Sequence, residues 1–544
     1  MAELALKFLP SVEKCFLDET LCEKQALSSA SMLKNERFSL QLGIYADMRQ
    51  NCKLTLSGGL EPYISIASVD SVPVAITGAV DDDYLRSEPG LFPDLLSSVA
   101  KDEIVIAPAG QLKALMLTIE NTNGILPGAY TLTAEVETLE GAQAAASVEI
   151  TVIDAMLPEQ KLIVSHWFHN DCIADWYRCE IFSEKHWELI GNYMEAAVRC
   201  GLNMMFTPIL TPPVDTAIGT ERPTVQLVDV FAHADGSYSF SYEKLERYIA
   251  LAQSKGMKYF ELSHFFSQWG AAHAPKVVAT LDCGETRRIF GWDTDATSPE
   301  YVTFIRAFVS ELLKELKKLG IDRKCRFHIS DEPSLEQLES YKAAKNVVAD
   351  LLADYPVMDA LSSFEFYAQG VVEAPVPATD HIDPFLENKV PDLFTYYCCG
   401  QVNQVSNRML AMPGQRTRIL GTQLYKFNIA GFMQWGFNFW YSCGSRRLIN
   451  PYTDVCGDYW VPGGDPFLVY PGQDGKAVYS YHALLFFEAL QDLRALQLLE
   501  EKIGRKAVTA LIDKGCQESL TFKAYPKNRE YLLNLRETVN SLLK

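Results

Sequence analysis

Cys325-Arg326-Phe327-His328-Ile329-Ser330-Asp331-Glu332-Pro333 is a largely apolar run that ends in two adjacent acids. It is preceded by a stretch (299–319) and followed by another (335–352) with apolar residues at three- and four-residue spacing, the pattern of amphipathic helices. A strand set between helices is the repeating unit of a parallel sheet. Working outward, the same alternation gives strand candidates at 162–168, 203–209, 259–265, 325–330, 358–361, 374–382, 393–398 and 431–439, with further helices at 184–199, 243–255 and 415–428. Eight such units closing on themselves make a (β/α)8 barrel, whose chemistry sits at the carboxyl ends of its strands.

Upstream the pattern differs. Tyr63-Ile64-Ser65-Ile66-Ala67 and Ser147-Val148-Glu149-Ile150-Thr151-Val152 alternate with a period of two between Gly, Pro and Asp turns, which predicts an antiparallel β-sandwich. Downstream of about 480 the chain reads as helices, interrupted at Gly504 and Gly515. The expected fold is therefore multidomain: a β-sandwich at 1–157, a catalytic (β/α)8 barrel of TIM type at 158–500 and a helical segment at 501–544. A chain of 544 residues calls for more than one core in any case.

Composition narrows the partners. A formal charge of -20 disfavours DNA and RNA, whose binding draws on clustered Lys and Arg. The start, Met1-Ala2-Glu3-Leu4-Ala5-Leu6-Lys7, lacks the basic and apolar regions of an export signal. The uncharged run 428–445 is broken by Asn, Gln, Ser and Gly and suits a buried strand better than a membrane span. Thirteen cysteines are odd in number, scattered and free of Cys-x-x-Cys spacing, so reduced thiols in a cytoplasmic protein are expected.

Asp331 and Glu332 carry the chemical signal. Acids and Pro also favour the first turn of a helix, but Ser334-Leu335-Glu336-Gln337 already offers a capping box there, which leaves the pair unexplained. Two adjacent carboxyls in a partly buried site cannot both stay ionised, so one holds a proton. Glycosidic cleavage needs such an acid and such an anion. Neighbouring residues are badly placed to flank a scissile bond as acid and nucleophile. A substrate-assisted route fits better: the sugar's own 2-acetamido oxygen attacks, one carboxyl orients that group and the other is acid, then base.

Aromatic faces stack on sugar rings, and Asn, His and Asp take their hydroxyls. By motif position and chemistry, His264, Trp269, Trp292 and Tyr367 are expected to meet substrate, as are Tyr396, Trp435, Asn438 and Asp465. His264 and His328 lack a second ligand at metal spacing, so no metal and no cofactor is expected.

At His264–Gly270, Phe290–Trp292, His328–Pro333, Gly431–Asn438, Asn450-Pro451-Tyr452, Gly464-Asp465, Tyr470-Pro471-Gly472 and 83–94, the chain resembles glycoside hydrolase family 123, the β-N-acetylgalactosaminidases. The resemblance implies the sandwich, the barrel and the substrate-assisted mechanism, with Asp331 positioning the acetamido group and Glu332 as general acid and base. Ser480-Tyr481-His482 departs from the Ser-x-Arg frequent in that family. The expected activity is exo-acting release of terminal β-linked N-acetylgalactosamine from an oligosaccharide or glycoconjugate. The alternatives are a hydrolase for another sugar, such as β-N-acetylglucosamine, and a non-catalytic carbohydrate-binding protein.

Overall fold

The computed structural model describes residues 4–101, 103–120 and 122–544. Residues 1–3 of the N-terminal heptapeptide lie outside the described residues.

The N-terminal region is β-rich. One sheet orders its strands Leu4–Pro10, Phe38–Ala46, Gln111–Ile119, Ile64–Val74 and Gly90–Ser98; the other runs Ser29–Lys34, Gln143–Met156, Gly128–Thr138, Gln50–Ser57 and Ile104–Ala107. Every pairing is antiparallel except that of Ser29–Lys34 with Gln143–Met156. Period-two alternation turns Leu40, Leu42, Leu115, Leu117, Leu132, Val136, Val148 and Ile150 into a shared core.

Beyond residue 160, short parallel strands dominate. Ile163–His166 pairs with Gly431–Gln434, which pairs with Phe394–Tyr396. Met204–Thr207 pairs with Tyr259–Leu262, and that strand with Cys325–Arg326. Met358–Ala360 pairs with Ala374–Val376. Single parallel bridges, Phe327 to Val357 and Ala378 to Tyr396, join neighbouring sets, and the Asn203 amide donates to the Val164 carbonyl.

These strands are shorter than the sequence predicts. The strand expected over 325–330 is continuous only at Cys325–Arg326, with a single bridge beyond it at Phe327, and at Ile329 the Asp359 carboxylate accepts from the amide at 3.0 Å in place of a ladder bond. The one expected over 374–382 stops at Val376, where Pro375 and Pro377 remove backbone donors.

The connecting helices follow their apolar periodicity. Pro299–Lys318 starts at a Ser298 cap with Pro at its first position and buries Tyr301, Phe304, Ile305, Phe308, Leu312 and Leu316. The helix expected over 335–352 is instead a 3-10 turn, Leu335–Gln337, followed by Leu338–Asn346 and Ala349–Leu352. The Gln337 side chain does accept from the Ser334 amide, at 2.9 Å. A four-stranded sheet of Tyr238–Ser241, Asp229–Ala232, Val277–Leu281 and Thr286–Phe290 is an addition that the sequence reading did not foresee.

The C-terminal part is helical: Tyr481–Ile503, Arg505–Asp513 and Arg529–Leu543. It is clamped to the β-rich N-terminal region by buried polar contacts. The His482 ring nitrogens meet Asp94 Oδ1 at 2.6 Å and the Phe467 carbonyl at 2.8 Å, and the Tyr470 hydroxyl donates to Asp94 Oδ2. The departure at Ser480-Tyr481-His482 thus falls at this junction. Among the described residues no helix is long and apolar enough to cross a membrane.

Candidate active site

A cavity of about 230 Å³ opens where the carboxyl ends of seven parallel strands converge. Trp167 follows Ile163–His166, Asp215 lies in the loop after Met204–Thr207, and Gln268 and Trp269 follow Tyr259–Leu262. Asp331 and Glu332 come from beyond Cys325–Arg326, Ala360 ends Met358–Ala360, and Tyr396, Cys398 and Cys399 close Phe394–Tyr396. Met433, Gln434 and Trp435 come from Gly431–Gln434 and its end, and Trp460 completes the wall.

The acidic pair faces this cavity with its two members in different surroundings. Asp331 is buried, and its Oδ2 accepts from Gln268 Nε2 at 2.7 Å. Burial, then the charges of Glu332 and Asp215, push its carboxyl well above the usual range. Glu332 is exposed to the cavity, and its Oε1 accepts from the Tyr396 hydroxyl at 2.6 Å. Behind Trp435 lies Asp465, which accepts from Trp435 Nε1 at 2.9 Å and Gln434 Nε2 at 3.0 Å; burial pushes it up to about 6.

Beneath the cavity floor runs a buried charge relay. His328 donates to Glu261 Oε1 at 2.9 Å and to Asp359 Oδ1 at 3.1 Å. Burial opposes its charge, but the hydrogen bonds and charges of those carboxylates push it up to about 9, so it is an imidazolium at neutral pH. Glu261 also accepts from Trp167 Nε1 at 2.7 Å, tying the relay to the cavity wall.

The structure brings Trp269, Tyr396 and Trp435 into the cavity with the acidic pair, and Asp465 directly behind it. Four other expected contacts lie elsewhere. His264 is buried, its ring stacked 4.4 Å from His328 with neither nitrogen partnered, and burial holds it neutral. Asn438 is buried and exchanges hydrogen bonds with the His169 backbone, at 2.9 and 3.0 Å. Trp292 donates to the Thr220 carbonyl beside a separate small cavity, and Tyr367 packs on Phe364. The sequence reading missed Asp215, Gln268, Trp167 and Trp460. Gln268 stood beside Trp269 in a motif already singled out, whereas Asp215 sits in a Pro-rich loop with no periodic signal.

His264, His328 and Asp359 bring ligand-type atoms within 4.8 Å of one another. Both His328 nitrogens are already spent on carboxylates, and its positive charge repels a cation, so this trio suits a relay better than a metal. Three larger cavities, of about 320, 780 and 420 Å³, have charged linings that include ion pairs such as Arg536 with Glu36, Lys527 with Asp83 and Arg505 with Glu500.

The family model "Glycoside hydrolase 123, catalytic domain" matches residues 167–499, more than half of the chain. A family 123 glycoside hydrolase from Clostridium perfringens, solved in a study of glycolipid glycan hydrolysis, superposes with a TM-score of 0.75 at 15% identity, covering 99% of this chain and 97% of that one. That likeness fixes the fold. A Bacteroides ovatus GH5 xyloglucanase reaches a TM-score of only 0.31 at 8% identity over 85% of this chain and 98% of that one, too remote to support an argument. No curated protein matches.

Proposed function

The chain belongs to glycoside hydrolase family 123, and from that premise we propose that it is an exo-acting β-N-acetylgalactosaminidase working by a retaining, substrate-assisted mechanism. The carrying observation is that Asp331 and Glu332 line one cavity in unlike surroundings. At about 230 Å³ it falls just below the roughly 300–1,000 Å³ of drug-sized ligand pockets, in keeping with one terminal sugar rather than a long glycan.

In this reading the buried Asp331, fixed by Gln268, faces the acetamido N–H. That donor, and the positive charge that grows on the group as its oxygen attacks the anomeric carbon, draw Asp331 into its anionic form and leave the shared proton on Glu332. Glu332 passes that proton to the departing oxygen. The Tyr396 hydroxyl then stabilises the carboxylate, which next takes a proton from the water that opens the oxazolinium ring. Trp269, Trp435, Trp167 and Trp460 supply apolar faces for the ring.

The same reading takes the parallel strands as one (β/α)8 barrel. In support, each is joined to its sequence neighbour by a pairing, a bridge or the Asn203–Val164 bond, and the last pairs with the first. The division at 157 and 500 and a cytoplasmic location belong to it as well. A panel of aryl glycosides tests it: the 2-acetamido-β-galactoside is cleaved with the β-anomer released first, and the plain β-galactoside is not. Comparable rates on both reject substrate assistance.

A further inference from the structure

We propose that Asp215 is a further substrate-contacting residue of this cavity, its free carboxyl oxygen meeting a ring hydroxyl of the terminal sugar and so helping to decide which sugar is accepted. The inference rests on the reading of the cavity as a sugar site.

Asp215 lines the cavity together with Asp331 and Glu332. Its backbone is left-handed, at φ 51°, a conformation that Asp adopts only at a cost. It is held there from several sides. Gln268 Oε1 accepts from its amide at 2.8 Å, and the Ser445 hydroxyl donates to its carbonyl at 2.7 Å. The preceding Val214 carbonyl accepts from Arg222 Nη1 at 3.3 Å. Arg222 is itself anchored by a buried bidentate pair with Asp171, at 2.7 and 2.8 Å. Through Gln268 the same side chain sets both Asp215 and Asp331.

Apart from a contact of the Gln268 side chain with the carboxyl, this bonding goes to the backbone of Asp215 or to its neighbours. Its Oδ2 is buried with no hydrogen-bond partner. A carboxyl that merely served its own loop would accept from nearby amides, as Asp residues in turns do. A buried carboxyl oxygen without a partner, in a residue that lines a cavity, is costly unless something binding there completes it. Burial, opposed by Arg222 and by the Gln268 hydrogen bond and reinforced by Glu332 and Asp465, pushes this carboxyl up to about 7, so it offers a donor as well as an acceptor near neutrality. With Glu332 as acid and Asp331 facing the acetamido group, a sugar hydroxyl is the group left for Asp215.

The test is a binding cycle. Titrations of N-acetylgalactosamine and its 3-, 4- and 6-deoxy analogues are followed by the fluorescence of the cavity tryptophans, for the wild type, Asp215→Gly and Asp215→Asn. Gly accepts φ 51° and removes the carboxyl, while Asn keeps both backbone and hydrogen bonding; thermal melts verify folding. Asp215→Gly is expected to weaken the parent sugar by about 10- to 100-fold. One deoxy analogue should show a similar loss in the wild type and no further loss in Asp215→Gly, and Asp215→Asn should stay within about tenfold of wild type. Unchanged binding by Asp215→Gly, or losses that simply add for every analogue, overturns the proposal. Turnover is measured separately: a wild type that binds the sugar and cleaves nothing removes the hydrolase reading while the cycle still decides Asp215. A wild type that binds no sugar overturns both.

Discussion

Replacing Tyr396 by Phe removes one hydroxyl and leaves the shape of the cavity wall intact. That hydroxyl donates to Glu332 Oε1 at 2.6 Å from a side chain only 8% exposed, and burial, then the charge of Glu332, hold the phenol well above its usual range, so it remains a donor. A hydrogen bond to a charged group contributes about 1.5–3 kcal/mol, or roughly 10- to 150-fold in rate. In the proposed mechanism the bond gains most strength once Glu332 has given up its proton, so the loss belongs to the transition state. It should therefore fall on kcat for substrates with poor leaving groups, which need the acid, and nearly vanish for dinitrophenyl glycosides, which do not. Steady-state kinetics across a leaving-group series measure this. A variant as fast as wild type throughout, or equally slowed for every leaving group, refutes the argument.

Glu332→Gln should lower kcat for poor leaving groups by about 10²–10⁴-fold and spare activated ones, while Asp331→Asn should be slow on every 2-acetamido substrate; normal rates in either end those roles. His328 is raised in the fold, so the stability it contributes is complete below pH 6.5 and is lost as pH climbs through about 9. Urea unfolding at a series of pH values should register a decline on the order of 3 kcal/mol across that window, flattened in His328→Gln, and parallel profiles for the two proteins would contradict it. His482→Ala strips partners from Asp94 and the Phe467 carbonyl. It should destabilise the fold by about 2–4 kcal/mol yet leave KM unchanged at 25 °C, and a raised KM with no loss of stability would place that residue's role elsewhere.

Strand–helix alternation was legible because each of the eight parallel strands from Ile163–His166 to Gly431–Gln434 that alternate with the expected helices lies inside an expected window, whereas the parallel pair Asp229–Ala232 and Val277–Leu281 lies in none. What the sequence did not carry was contact over distance. Nothing near Ile329 says that Asp359 will take its amide in place of a ladder bond, and nothing near Thr211-Pro212-Pro213-Val214-Asp215 says that Gln268 will catch the loop. The same limit separates the candidate sugar contacts. Trp269, Tyr396 and Trp435 sit at or just past strand ends and reach the cavity. His264, inside its strand's exit, turns toward His328, and Asn438 pins the His169 backbone. Residue type and motif position were alike in both groups, and only the direction of the side chain differed.

That direction is enforced by strain. Asp215, Trp269 and Glu332 all hold left-handed backbones, at φ 51°, 56° and 45°, each costing about 1–2 kcal/mol for a residue with a side chain. Each has its amide tied: Asp215 to Gln268 Oε1, Trp269 to the Asp331 carbonyl at 2.9 Å, and Glu332 to the Ala360 carbonyl at 3.0 Å. These bonds cross between the ends of different strands, so relaxing one residue disturbs its neighbours. A wall over-determined in this way keeps its side chains aimed before anything binds, and charge developing in the cavity then meets groups that need not reorganise. The unfavourable backbone at three positions is thus offset by contacts elsewhere in the fold, and in return the cavity is held in a single shape.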